Sequence, residues 1–376
     1  MEIFKERKFI KAETIVPTYI CSIGCHMFNF MNKHKRIFTE GDIIPDMRLH
    51  IFMVTIPGYG KTYLINQFMS KYNGILKDTD IPTGKIAGLS SSGLVGSIKT
   101  TPDGQTVVNK GVLQRKSDHI LGSDEFSNVT TSAKTSHSGN LTNDLLSALD
   151  DGQMNKDLSG GGLEYETFAT VWGATQPGRF ELKAGLPRRF VFVIYMPDVQ
   201  DVYLFRNARE ESKNLKLNVN RLLEYKLAIN ARYKEVKDKL KEVEYSKEYF
   251  DWKKSYFAMH YEDMLYERIL LGYWIMKVDK IPEKLVLTLN DEVKSIIEQQ
   301  IQARLSAQRG IEKIRIMEVI KYIKHMKYSE LLKLLLSFAL DERYIVRNLD
   351  VLIANKFIKI ENGLVTNLQY KEVGNG

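Results

Sequence analysis

The chain has 376 residues, of which 44% are hydrophobic and 27% charged, with 9 prolines, so it is neither disordered, collagenous nor low in complexity. At roughly 150 residues per domain it is long enough for two or three. Its 54 lysines and arginines against 46 acidic residues give a net charge of +8, a mild excess that favours a polyanionic partner such as nucleic acid. The 2 cysteines exclude a disulfide framework and point to a reducing compartment. No signal peptide and no apolar run of about 18 residues is evident, so the expectation is a cytoplasmic protein without a membrane segment.

Near the start, Cys21-x3-Cys25-His26, with His34 and His50 downstream, has the wrong spacing for the usual zinc sites. Tyr19 to Met31 reads instead as a helix packing two small thiols. Apolar, β-rich runs follow at His50–Val54, His119–Ser123, Phe168–Gly173 and Phe190–Tyr195, separated by helical or loop-rich segments. Short buried runs of this kind predict a covered parallel sheet in an α/β unit over residues 1–200.

The sharpest motif is Leu49-His-Ile-Phe-Met-Val-Thr-Ile-Pro-Gly-Tyr-Gly-Lys-Thr62, an apolar strand running through a glycine-bounded loop into a helix. In the loop Pro57-Gly58-Tyr59-Gly60, Gly58 and Gly60 can let backbone N–H groups wrap the β- and γ-phosphates of ATP, Lys61 can neutralise them, and the Thr62 hydroxyl can ligate Mg²⁺. The strict pattern has glycine at position 55, where this chain has Thr55. Some sixty residues on, Asp124-Glu125 ends a strand. Downstream of a phosphate loop, Asp124 is expected to hold the metal and Glu125 to take a proton from the attacking water. The next strand ends in Thr175 and Gln176, placed to hydrogen-bond the γ-phosphate or the lytic water. Arg188 and Arg189 then precede a buried strand, where they need anionic partners. Either a phosphate on a neighbouring subunit or a structural Asp or Glu would serve, and Arg189 is the favoured finger.

From Asp201 to Lys280 the pattern turns helical and charged, and Ile229, Tyr233, Val236, Leu240 and Val243 repeat as a helix-packing seam, read as the core of a lid over residues 201–310. Residues 311–376 read as three helices (316–326, 329–338 and 341–355) and two strands (357–361 and 364–368) flanking Asn362-Gly363, the description of a winged helix. In its third helix Ile345, Val346, Leu349, Leu352 and Ile353 are expected to face inward. That leaves Arg343, Tyr344, Arg347 and Asn348 outward, with Arg343 and Arg347 as candidate DNA contacts or a solvated face.

The order of these parts resembles the AAA+ ATPases, and within them the minichromosome-maintenance (MCM) family of replicative helicases. Gly84-Lys-Ile-Ala-Gly-Leu-Ser-Ser-Ser-Gly-Leu-Val-Gly-Ser97, the Thr101-Pro-Asp-Gly104 turn and Val112-Leu113 are similar to the family's helix-2 insertion. Leu141–Asp151 with Gly152–Gly162 resembles its helix and pre-sensor hairpin, and Arg189-Phe190 its Arg-Phe finger. The likeness covers about 15–200 well, the lid loosely and the last 60 or so residues in architecture only. It implies an AAA+ P-loop ATPase with a parallel sheet, a helical lid and a C-terminal winged-helix domain. It also implies a homo-hexameric ring with ATP and Mg²⁺ at subunit junctions, Gln176 as sensor, Arg189 acting in trans, and Lys99, Lys110 and Lys156 on hairpins that grip DNA.

The sequence departs from the family at Thr55 and Ile56 in place of Gly-Asp, at Gln176 in place of Asn, and at Val191 in place of the Asp after Arg-Phe. No collar domain with a four-cysteine zinc site is recognised. The expectation is therefore a compact relative carried by a virus, plasmid or other mobile element, resident in the nucleoid or host cytoplasm. Three functions follow from these readings. One is an ATP-dependent DNA helicase or translocase in replication. Another is an initiator or loader that binds duplex DNA as an ATP-gated switch, and the third is a subunit with a degenerate site, motivated by Thr55 and Gln176.

Overall fold

The computed structural model describes residues 2–86, 91–101, 103, 105–126, 141–158, 161–177, 188–212, 218–255, 260–309, 316–317, 319–320, 323–337 and 342–370. It opens with α1 (Glu2–Glu6) and α2 (Ala12–Lys35), and most of α2 is buried, including Cys21, Cys25 and His26. The expected thiol-packing helix lies inside α2. Next come β1 (His50–Thr55), α3 (Lys61–Met69), β2 (Thr83–Lys85), α4 (Ser91–Leu94), a hairpin of β3 (Gly96–Thr100) and β4 (Thr106–Lys110), α5 (Val112–Arg115) and β5 (Ile120–Ser123). Helix α6 (Leu141–Asp150) leads into a second hairpin, β6 (Gln153–Leu158) and β7 (Gly161–Glu166), before β8 (Thr170–Thr175) and β9 (Phe190–Tyr195).

Strands β2, β5, β8, β1 and β9 form one parallel sheet in that order. The four apolar runs of the sequence are its β1, β5, β8 and β9, covered on both faces as parallel strands require. One face packs on α2 and α3, and the other on α6 and the bases of the two hairpins. Because β8 lies between β1 and β5, the carboxyl ends of these three strands stand side by side. That is where an open parallel sheet offers a crevice.

The following elements are α7 (Val199–Ser212), α8 (Val219–Lys239), β10 (Glu242–Tyr245), α9 (Lys247–Ser255), α10 (His260–Lys277), β11 (Lys284–Leu287) and α11 (Asp291–Arg309). The boundary expected near residue 200 does not separate two cores: Leu222, Ile229, Ile269 and Val293 share one buried cluster with Tyr19 and Ile51. Helix α10 crosses α2 at glycines. A Cβ on Gly24 would lie 2.4 Å from the Gly272 carbonyl oxygen, and one on Gly272 would lie 2.0 Å from that of Cys21, so neither position accepts a side chain. The expected continuous seam also needs correction, because α8 ends at Lys239, Leu240 caps it, and Val243 lies on β10. Glu242-Val-Glu-Tyr245 alternates with the period of a strand, and Lys284 on the parallel partner β11 pairs with Glu242 at 2.9 Å and Glu244 at 2.6 Å.

The C-terminal unit holds short helical stretches at 316–317 and 319–320, then β12 (His325–Lys327), α12 (Tyr328–Ser337), α13 (Glu342–Ala354), β13 (Ile358–Glu361) and β14 (Leu364–Asn367). The strands form an antiparallel sheet in the order β12-β14-β13, and Asn362 and Gly363 make its turn at φ of 49° and 74°. The helix expected to reach Met326 therefore stops earlier, where His325–Lys327 pairs with β14. On α13, Ile345, Leu349 and Leu352 are buried as expected, but Asn348 is buried with them while Val346 and Ile353 are exposed. At 3.6 residues per turn Asn348 falls on the strip joining Ile345 to Leu352, and Val346 and Ile353 rotate off it. Ile56, from the loop after β1, is 2% exposed and belongs to this unit's buried cluster, against which Tyr59 and Met196 also pack. No helix among the described residues is long and apolar enough to cross a membrane.

Candidate nucleotide site

Gly58 and Gly60 sit at φ of 85° and 93°, a left-handed backbone that disfavours any other residue. These two positions let the loop between β1 and α3 close tightly ahead of the first turn of α3. Lys61 opens that helix with its side chain buried, and its Nζ donates to the carbonyls of Thr55 at 3.1 Å and Ile56 at 3.3 Å. Burial pushes the Lys61 ammonium below its ordinary pKa, opposed by the carboxylates of Glu125 and Asp124. Thr55, where the strict pattern has glycine, is fully buried with its hydroxyl unpartnered.

Next in the helix, Thr62 Oγ1 donates to Asp124 Oδ2 at 2.7 Å. Asp124 and Glu125 follow β5 directly and are half-buried, and Gln176, after β8, donates through Nε2 to Glu125 Oε1 at 3.4 Å. Lys61, Thr62, Asp124, Glu125 and Gln176 thus converge from three strand ends. A hydroxyl and a carboxylate in contact, beside a buried ammonium and a second carboxylate, fit a phosphate group with a hard divalent cation. Thr62 and Asp124 are the residues that would hold the cation.

Beside Gly58 and Gly60 opens a cavity of about 580 Å³, which the sequence reading missed entirely. Its walls include Phe9 and Lys8 from the start of the chain, Tyr59 and Tyr63, and Phe205 and Arg206 from α7. Phe9 stacks on Tyr63 with centroids 5.9 Å apart, Tyr59 meets Phe205 edge-on at 5.0 Å, and Tyr63 Oη donates to the Arg7 carbonyl at 2.9 Å. A slot with aromatic walls, cationic edges and an opening at the glycine-bounded loop would suit a planar base and its ribose. No local motif announces it, since the first ten residues and α7 are remote in sequence and join only in the fold.

Arg189 is not part of this convergence. It precedes β9, at the amino end of the sheet, and its side chain is buried, with Nε donating to the Leu146 carbonyl at 3.0 Å and Nη2 to Asp150 Oδ2 at 2.5 Å. Burial lowers its pKa, and Asp150 opposes that shift. Arg188 is exposed. Of the two readings left open by the sequence, the carboxylate partner is met within the chain, by Asp150.

Among the expected DNA contacts, Lys110 is exposed at the end of β4 and Arg347 is exposed on α13. Lys99 lies on β3, Lys156 on β6 and Arg343 on α13, with side chains outside the described residues. The two hairpins touch at their bases, where Tyr165 Oη donates to the Val95 carbonyl at 2.8 Å. No protein-family model matches the chain, and no curated protein matches it.

Proposed function

We propose that the chain is an ATP-dependent DNA helicase or translocase of the MCM-like AAA+ class, with a C-terminal winged helix, acting in replication of a virus, plasmid or other mobile element. The observation that carries this reading is the convergence of Lys61, Thr62, Asp124, Glu125 and Gln176 at neighbouring strand ends beside a glycine-bounded loop. In this reading Lys61 exchanges the carbonyls of Thr55 and Ile56 for phosphate oxygens, and the aromatic slot takes the base. Magnesium, when bound, offsets the charge on the phosphates. Glu125 accepts the proton of the attacking water, and Gln176, within hydrogen-bond reach of Glu125, holds that water in line.

Arg189 completes the site only across a subunit junction, which is why the proposal includes a homo-hexamer. A guanidinium there spreads charge away from the γ-phosphate as the bond breaks. Conversion to motion is assigned to the two hairpins, because they share a base with α6, whose last turn holds Arg189 through Asp150 and Leu146. The test is ATP-dependent displacement of a strand from forked DNA, lost in Lys61→Ala. A protein that hydrolyses ATP slowly, displaces no strand and selects a duplex sequence would instead be an initiator or loader.

A further inference from the structure

Ile56 occupies two environments at once. Its carbonyl accepts a hydrogen bond from Lys61 Nζ at 3.3 Å, inside the phosphate loop, while its side chain is 2% exposed within the cluster formed by Ile316, Val319, Ile320, Leu331 and Ile345 of the C-terminal unit. Ile56 is the one buried residue of that cluster, among the described residues, that comes from outside the unit. Tyr59, also in the loop, and Met196, just after β9, pack against the same cluster. Pro57 follows Ile56 and disfavours helical backbone there, so the direction in which Ile56 leaves the chain is set by the loop.

We propose that the C-terminal unit is a brake docked on the phosphate loop through Ile56, Tyr59 and Met196, and that docking and nucleotide binding oppose one another. The inference rests on the nucleotide reading of this loop and adds a regulatory contact to it. Phosphate oxygens compete for Lys61 Nζ, the ammonium leaves the Ile56 carbonyl, and the segment carrying Ile56 and Tyr59 shifts relative to the unit that seats them. A packed seat tolerates such a shift poorly, because displaced apolar contacts are lost within an ångström. Linkage makes the effect reciprocal: whatever nucleotide does to docking, docking does to nucleotide affinity by the same factor.

The experiment uses the full chain, with MgADP as the probe. Calorimetry gives the affinity, and hydrogen exchange of the peptides spanning 50–60 and 316–337 is followed without and with saturating MgADP. Faster exchange in 316–337 is expected on binding, and Met196→Ser, outside the nucleotide site, is expected to raise that exchange without nucleotide and to tighten MgADP about fivefold. MgADP that binds while exchange in 316–337 stays unchanged overturns the brake and leaves the nucleotide reading standing, and the wild-type comparison holds even if Met196→Ser fails to fold. Absence of any MgADP binding overturns both.

Discussion

The two ends of the central sheet both carry charged side chains, but they are wired differently. At the amino ends, Arg48 is buried and donates to Asp46 Oδ2 at 2.7 Å, to the Ala169 carbonyl at 2.7 Å and to the Ala148 carbonyl at 2.8 Å. His50 and His26 are buried beside this group, with His26 Nδ1 at 2.8 Å from Thr170 Oγ1 and His26 Nε2 at 3.0 Å from the Asp118 carbonyl. These contacts join the loop before β1 to the end of α6 and the start of β8. At the carboxyl ends, Thr62 bonds Asp124 and Gln176 bonds Glu125, and all four remain half-buried or exposed. Polar groups locked to carbonyls in a dry interior hold elements in place, whereas groups that satisfy each other at an open edge can exchange those bonds for a ligand.

The comparison breaks most sharply at Lys61. Lys61→Ala is expected to remove measurable ATP binding by calorimetry while the thermal unfolding midpoint stays within a few degrees, whereas a collapse of the fold would place Lys61 in the structural class. Arg189 sharpens the contrast, because it sits at the buried end yet is assigned a catalytic role. Arg189→Ala is expected to lower steady-state hydrolysis about 10³-fold, and mixing it with Lys61→Ala is expected to recover part of the activity in mixed rings. No recovery would restrict Arg189 to clamping α6, leaving the exposed Arg188 to be tested in the same way.

For the buried network the prediction is structural. Arg48→Met strands the Asp46 carboxylate and is expected to cost about 3–5 kcal/mol in urea unfolding. The smallest effect is in pH. Burial lowers His26 to about 4, so it stays neutral in the fold, while the unfolded chain takes up a proton near 6.5. The unfolded state therefore binds more protons between these values, and stability is complete above about 6.5 and falls as pH drops towards 4. Between pH 7 and pH 5 this amounts to ~2 kcal/mol from His26. His50, also lowered by burial, acts in the same direction. Urea midpoints across that range check the slope, which His26→Asn should flatten.

What could be read in the sequence was local. The glycine-bounded loop between β1 and α3, the Asp124-Glu125 strand end and the Asn362-Gly363 turn are contiguous signals, each set by residues within one turn or strand, and each lies at the loop, strand end or turn that its pattern predicts. Val243 misled because Tyr233, Val236, Leu240 and Val243 also fit a helical repeat, and only pairing with Lys284 on β11 reveals the alternation as a strand. Asn348 misled because polarity was read as exposure, although its position on α13 carries it inward. The aromatic slot and the seat of Ile56 depend on segments hundreds of residues apart, for which one sequence holds no pairing signal.

Steady-state ATP hydrolysis by wild type and Glu125→Gln, without DNA and with single-stranded or forked DNA, tests the central claim most directly. The account predicts hydrolysis that DNA stimulates several-fold and that Glu125→Gln lowers by about 10²-fold or more while ATP binding is kept. Hydrolysis by Glu125→Gln at the wild-type rate would contradict the assignment of the carboxyl-end cluster, and turnover indifferent to DNA would contradict the motor.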